Sequence, residues 1–197
     1  WTLALSALAA AALVWMIAVA PAGTEGGAPT PPAGDPAGQG VRLKGLEPRL
    51  LIHRQRDRLP VGAAEDPAAT SERLETGDQA DEGDLLQLSY LAAGRSHGVI
   101  LSIDGRGAVT LHWPDRRGGA TALVPSGEVR LDHAYELDDA PGFERFFLVT
   151  GADALDVNAI LDAAEDLAAD ADRARDGALA LAEGLEQRSV LLLKERR

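Results

Sequence analysis

Cysteine is absent from all 197 residues, which removes disulfide frameworks, thiolate nucleophiles and cysteine-ligated zinc from the chemistry of this chain. Lysine is nearly absent: Lys44 and Lys194 are the only two, so arginine carries almost all the positive charge. Acids outnumber bases, and the formal net charge of -12 sets the overall field against a phosphate-binding surface. Nucleic acid is therefore not an expected partner. Also missing are a glycine-rich phosphate loop, a carboxylate pair in an obvious acid/base arrangement, and histidines at the short fixed spacing that signals a metal. Catalytic, cofactor-binding and metal-ligating residues are accordingly assigned to none of the positions, and the chain reads as non-enzymatic.

Charge is missing altogether from Trp1 to Ala20, WTLALSALAAAALVWMIAVA. Twenty helical residues rise about 30 Å, the thickness of a bilayer's hydrocarbon core, so residues 1–20 are expected to form a transmembrane helix in contact with membrane lipid. A secretory signal peptide is the alternative, since Ala20-Pro21-Ala22 offers a small-residue cleavage site. The apolar run exceeds a signal core of roughly 7 to 15 residues and shows no basic flank, which favours the retained anchor. Between Pro21 and Val41 there is no Lys or Arg, as expected on the non-cytoplasmic side of a membrane.

Residues 21–40 (PAGTEGGAPTPPAGDPAGQG) hold five prolines and six glycines. Too many breakers and too little apolar surface make this a flexible tether. From Val41 to Arg197 the pattern changes to short apolar runs separated by Gly, Pro and Asp, a size and texture that suit one β-rich domain. Strands are expected around Leu50 to Gln55, Ser71 to Glu75, Asp84 to Ala92, Glu128 to Leu137, Phe143 to Thr150 and Val190 to Leu193. Val99, Leu101 and Ile103 form one further alternating set, and Val109, Leu111 and Trp113 another, joined by a hairpin turn at Asp104-Gly105-Arg106-Gly107. Val157, Ile160, Leu161, Ala164, Leu167 and Ala168 repeat at helical spacing, with Asp153 or Asp156 as the cap of a helix near 154–170. The expected fold is mainly β, an antiparallel β-sandwich with one packed C-terminal helix, preceded by a single transmembrane helix.

One local pattern argues for an enzyme. Gly94-Arg95-Ser96-His97-Gly98 fits the G-x-S-x-G nucleophile elbow of serine hydrolases. That elbow works where a strand turns sharply into a helix, and here the glycines lead into Val99-Ile100-Leu101-Ser102-Ile103, a strand. Ser96 is therefore read as a loop residue, and a secreted serine hydrolase is the least favoured reading. His53, His97, His112 and His133 are read as ordinary sheet residues. The acids of TGDQADEGD, Asp78, Asp81, Glu82 and Asp84, lack the spacing of a calcium loop and are read as a solvated turn. Asp138-Asp139 before Ala140-Pro141-Gly142 is read as another turn.

Several phrases together carry a resemblance: Leu43-Lys44-Gly45-Leu46-Glu47-Pro48, Gly83-Asp84-Leu85-Leu86-Gln87-Leu88-Ser89-Tyr90, Ile103 to Pro114 (IDGRGAVTLHWP) and Tyr135 to Phe147 (YELDDAPGFERFF). They resemble an envelope-facing bacterial β domain of unknown function that follows the membrane helix in anti-sigma-factor-like proteins, myxobacterial ones among them. The resemblance runs from about Leu43 to the C-terminus. It implies a bacterial inner-membrane, single-pass protein whose C-terminal domain lies in the periplasm and binds an envelope ligand or protein. In such proteins a cytoplasmic helical module, often with a His/Cys zinc site, holds the sigma factor. This sequence carries no such module, and the tryptophan at position 1 leads to the expectation that it lies upstream, so a sigma factor is a partner only through that segment. The expected function is a non-enzymatic, membrane-anchored envelope sensor or binding domain. The alternative is a structural or scaffold envelope domain attached to another cytoplasmic module.

Overall fold

A computed structural model describes residues 47–55 and 71–194; the expected membrane helix over 1–20 and the tether over 21–40 lie outside the described residues. Alternating and apolar stretches become strands β1 (Arg49–Gln55), β2 (Ser71–Leu74), β3 (Gln79–Ala80), β4 (Leu85–Leu91), β5 (His97–Asp104), β6 (Val109–Trp113), β7 (Glu128–Glu136), β8 (Gly142–Gly151) and β9 (Glu186–Lys194). Helices α1 (Val157–Ala168) and α2 (Ala171–Asp176) interrupt the run between β8 and β9. The fold is mainly β, with one sheet ordered β2-β1-β4-β7 and a second ordered β3-β9-β8-β5-β6.

Two departures from expectation follow from short segments. Two helices stand where one was expected, because α2 is only 6 residues long, too short to announce itself by periodicity. Asp170 caps it by accepting a hydrogen bond from the Arg173 N–H, just as Asp156 caps α1 through Asn158 and Ala159. The sheets are also not wholly antiparallel: the two-residue β3 runs parallel to β9, bracketed by the Gly77 N–H donating to the Leu191 carbonyl and the Leu193 N–H to that of Asp78. The acidic loop thus covers part of the edge of β9.

Burial on two sides explains the density of apolar residues in the middle of the second sheet. Ile100, Phe146, Leu148 and Leu192 face the first sheet and pack with Leu50, Ile52, Leu86, Leu88 and Tyr90. The opposite face presents Val99, Leu101, Ile103, Phe147 and Val149 to Val157, Ile160, Leu161, Ala164 and Leu167 of α1. Strands β5 and β8 are therefore buried on both faces and read as continuous apolar runs instead of alternating ones. Arg145 ties down α2: its guanidinium donates to the Ala174 and Gly177 carbonyls at 3.1 and 2.6 Å and lies 4.6 Å from the Phe147 ring centre.

The Asp104 to Gly107 turn joins β5 to β6 as expected. Asp104 Oδ1 accepts from the Arg106 and Ala108 N–H groups, both at 2.8 Å. Glycine is required at 105 for space, since a Cβ there would lie 1.6 Å from the Pro141 carbonyl oxygen, and at 107 because its φ is +84°.

Candidate functional site

The two sheets each end in an open strand on the same side, β6 in one and β7 in the other, and both strands are bulged where they face each other. In the β5–β6 ladder Ile100 opposes Trp113 while Leu101 opposes Leu111, so His112 is an extra residue. Alternation alone had put Val109, Leu111 and Trp113 on one face. The bulge corrects that: Val109 and Leu111 pack on the helical side, whereas Trp113 packs into the space between the sheets. In the β4–β7 ladder Gln87 opposes Ala134 and Ser89 opposes Arg130, which leaves Leu88 facing Leu131, Asp132 and His133. The Gln87 side-chain amide fills this bulge, donating to the Leu131 carbonyl at 2.7 Å and to that of Leu88 at 3.1 Å.

Between the bulges lies a cleft of about 650 Å³. Leu88, Trp113, Leu131 and Tyr135 supply apolar and aromatic wall, His112, His133 and Thr110 add polar residues to the lining, and Asp115 and Asp132 are exposed in it. His112 and Tyr135 meet edge to face, 4.8 Å between ring centres, and the Phe146 ring lies 5.6 Å from His112.

Behind this wall is a buried polar cluster. His112 Nε2 lies 3.0 Å from Ser102 Oγ, and the Tyr135 hydroxyl donates to Glu144 Oε1 at 3.4 Å. The Lys194 ammonium donates to Asp138 Oδ1 at 2.9 Å and stands 4.0 Å from Glu144 Oε2. Burial pushes the His112 imidazole down to about 4, so it is neutral at pH 7. Burial lifts the Glu144 carboxyl from its ordinary 4.5 to about 7, against the opposing pull of the Ser102 hydroxyl and the Lys194 ammonium. The Tyr135 phenol is raised as well, by burial and by the neighbouring Glu144 charge. Two polar atoms here, Glu144 Oε2 and Trp113 Nε1, are buried without a hydrogen-bond partner.

The hydrolase pattern does not assemble. Gly94 to Gly98 joins β4 to β5, two strands; Ser96 is exposed, and His97 Nδ1 lies 3.1 Å from Thr121 Oγ1. The serine that does approach a histidine, Ser102, is fully buried. The four histidines sit in four different strands, β1, β5, β6 and β7, and no group of His, Asp and Glu suited to a metal occurs among the described residues. The acids of the TGDQADEGD loop close turns: Asp78 Oδ2 accepts from the Glu75 N–H and Asp84 Oδ2 from the Asp81 N–H, while Arg54 binds Asp84 at 3.0 Å. Asp138 accepts from the Ala140 N–H, and Asp139 pairs with Arg106 at 2.7 Å.

Sequence reasoning missed the cleft and its cluster. A signal was present: Ser102 interrupts the apolar run of β5, and Glu144, with Arg145 beside it, interrupts that of β8. Comparison of the chain with family models, with curated proteins and with solved structures finds no match.

Proposed function

We propose that this chain is a non-enzymatic, single-pass membrane protein whose β-sandwich domain faces the bacterial envelope and binds a small molecule in the cleft between β6 and β7. The observation that carries the binding role is the pair of opposed bulges. Each abandons ladder pairing at an open edge and directs side chains toward one concave, partly aromatic space, a habit of strands beside ligand sites. The anchoring rests on the uncharged residues 1–20 and the flank without Lys or Arg that follows them. The resemblance to the envelope-facing domain of anti-sigma-factor-like proteins supports a sensing role linked to transcription, with a sigma factor held by a module upstream.

Leu131 lines the cleft, is half-buried and packs on the inter-sheet side of β7, so Leu131→Trp fills the space from that wall. In cells carrying the full-length protein, a sensor whose cleft is filled gives an altered transcriptional response to envelope stress. If that response stays at the wild-type level both in this variant and in one lacking residues 41–197, the domain is a scaffold and the sensing role is wrong.

A further inference from the structure

The lining of the cleft is one-sided in charge. It includes the acids Asp115 and Asp132, the histidines His112 and His133, and neither lysine nor arginine. Asp115 lies 3.7 Å from Arg116 in an exposed pair, whereas Asp132 has no ion pair among the described residues. His112 adds no positive charge at neutral pH, because its buried imidazole stays unprotonated down to about pH 4. The lining also includes Trp113 and Tyr135, the two ring types whose faces attract cations most strongly. The whole chain, at -12, adds a field of the same sign.

From this we infer that the ligand of the cleft is a small organic cation, an amine or quaternary ammonium carried on an apolar body. The inference rests on the cleft being a binding site. The apolar body lies against Leu88, Leu131 and Trp113, and the cationic end is held between the ring faces and Asp132. An anionic ligand of the same size meets two aspartates and neither lysine nor arginine. A neutral one gains the apolar contact alone.

Three water-soluble probes of similar size separate these cases: benzyltrimethylammonium, benzyl alcohol and phenylacetate. Each is titrated into the full-length protein in nonionic micelles while the Trp113 indole N–H resonance is followed, with Trp113→Phe used to assign it. Benzyltrimethylammonium is expected to bind about tenfold more tightly than either other probe, the scale of a cation–π contact aided by one exposed carboxylate. Asp132→Asn is expected to weaken the cation several-fold and leave benzyl alcohol unchanged. Equal or tighter binding of benzyl alcohol or phenylacetate at Trp113 overturns the cationic class while leaving the cleft a binding site. If none of the three moves the Trp113 resonance, the cleft itself is wrongly identified and this inference falls with it.

Discussion

Glu144 and His112 belong to one buried cluster and titrate in opposite senses. The folded carboxyl keeps its proton up to about pH 7, whereas an unfolded chain loses it near 4.5, so stability from this group falls as pH rises from 4.5 to 7. His112 is the reverse: an unfolded chain takes up a proton below 6.5 and the folded one only near 4, so stability falls as pH drops from 6.5 to 4. Each effect amounts to about 3 kcal/mol, and between 4.5 and 6.5 they cancel. Glu144→Gln should leave a stability that climbs from pH 4 to 6.5, and His112→Asn one that declines from pH 4.5 to 7. Urea unfolding at a series of pH values reads both slopes, and a flat profile in either variant contradicts the account. A steric prediction is independent of charge. Gly105→Ala should destabilise by about 1–3 kcal/mol, because its methyl group would overlap the Pro141 carbonyl, whereas Gly118→Ala, which meets nothing within 4 Å, should stay within about 0.5 kcal/mol. The turn at 104–107 and the positive φ at Gly107 were legible, since Asp-Gly signals turns, whereas the need for glycine at 105 comes from the Pro141 carbonyl packed against it, a contact between segments far apart in sequence. The roles of Ser102 and Glu144 were not, because a polar residue in a strand is ordinarily assigned to solvent, and only burial of both strand faces denies it that place.

Alternation located most elements, and it failed where its premise failed. The faces assigned to Leu86, Leu88 and Tyr90 and to Val99, Leu101 and Ile103 agree with the packing, because strands β4 and β5 keep a period of two and the extra residues lie on their partners β7 and β6. The face assigned to Trp113 does not, because the extra residue at His112 breaks that period, and nothing local in LHWP marks a bulge. The bulge in β7 depends on Gln87, and Gln87→Ala removes the donor to the Leu131 carbonyl. That change should lower stability by about 1 kcal/mol and speed amide exchange selectively in residues 130–134, as measured by hydrogen exchange. Exchange that rises uniformly across both sheets would instead mean that Gln87 serves the fold as a whole. Asp156→Ala should remove the acceptor that caps α1, at about 1 kcal/mol in thermal or urea unfolding. Helix α1 was legible from its apolar stripe; α2, at 6 residues, offered no stripe to read.

At the scale of the molecule, two sheets and a helical layer leave one side where both sheets end. There, among the described residues, the terminal strands β6 and β7 are unpaired along one edge, a feature that β proteins blunt with bulges, charge or cover. This chain uses bulges, and the same devices that interrupt the edges shape the cleft. Charge and composition were legible from the start and already disfavoured polyanions; the place where a ligand could sit required the three-dimensional pairing of strands far apart in sequence. The central claim is that this cleft binds small molecules, and the Trp113 indole N–H is its most direct reporter. Titration of the wild-type protein with benzyltrimethylammonium, benzyl alcohol and phenylacetate should give a saturable shift of that resonance with at least one probe, and Leu131→Trp should abolish it while the remaining amide spectrum stays folded. A resonance that none of the three moves, or a shift that survives undiminished when the cleft is filled, would contradict the claim.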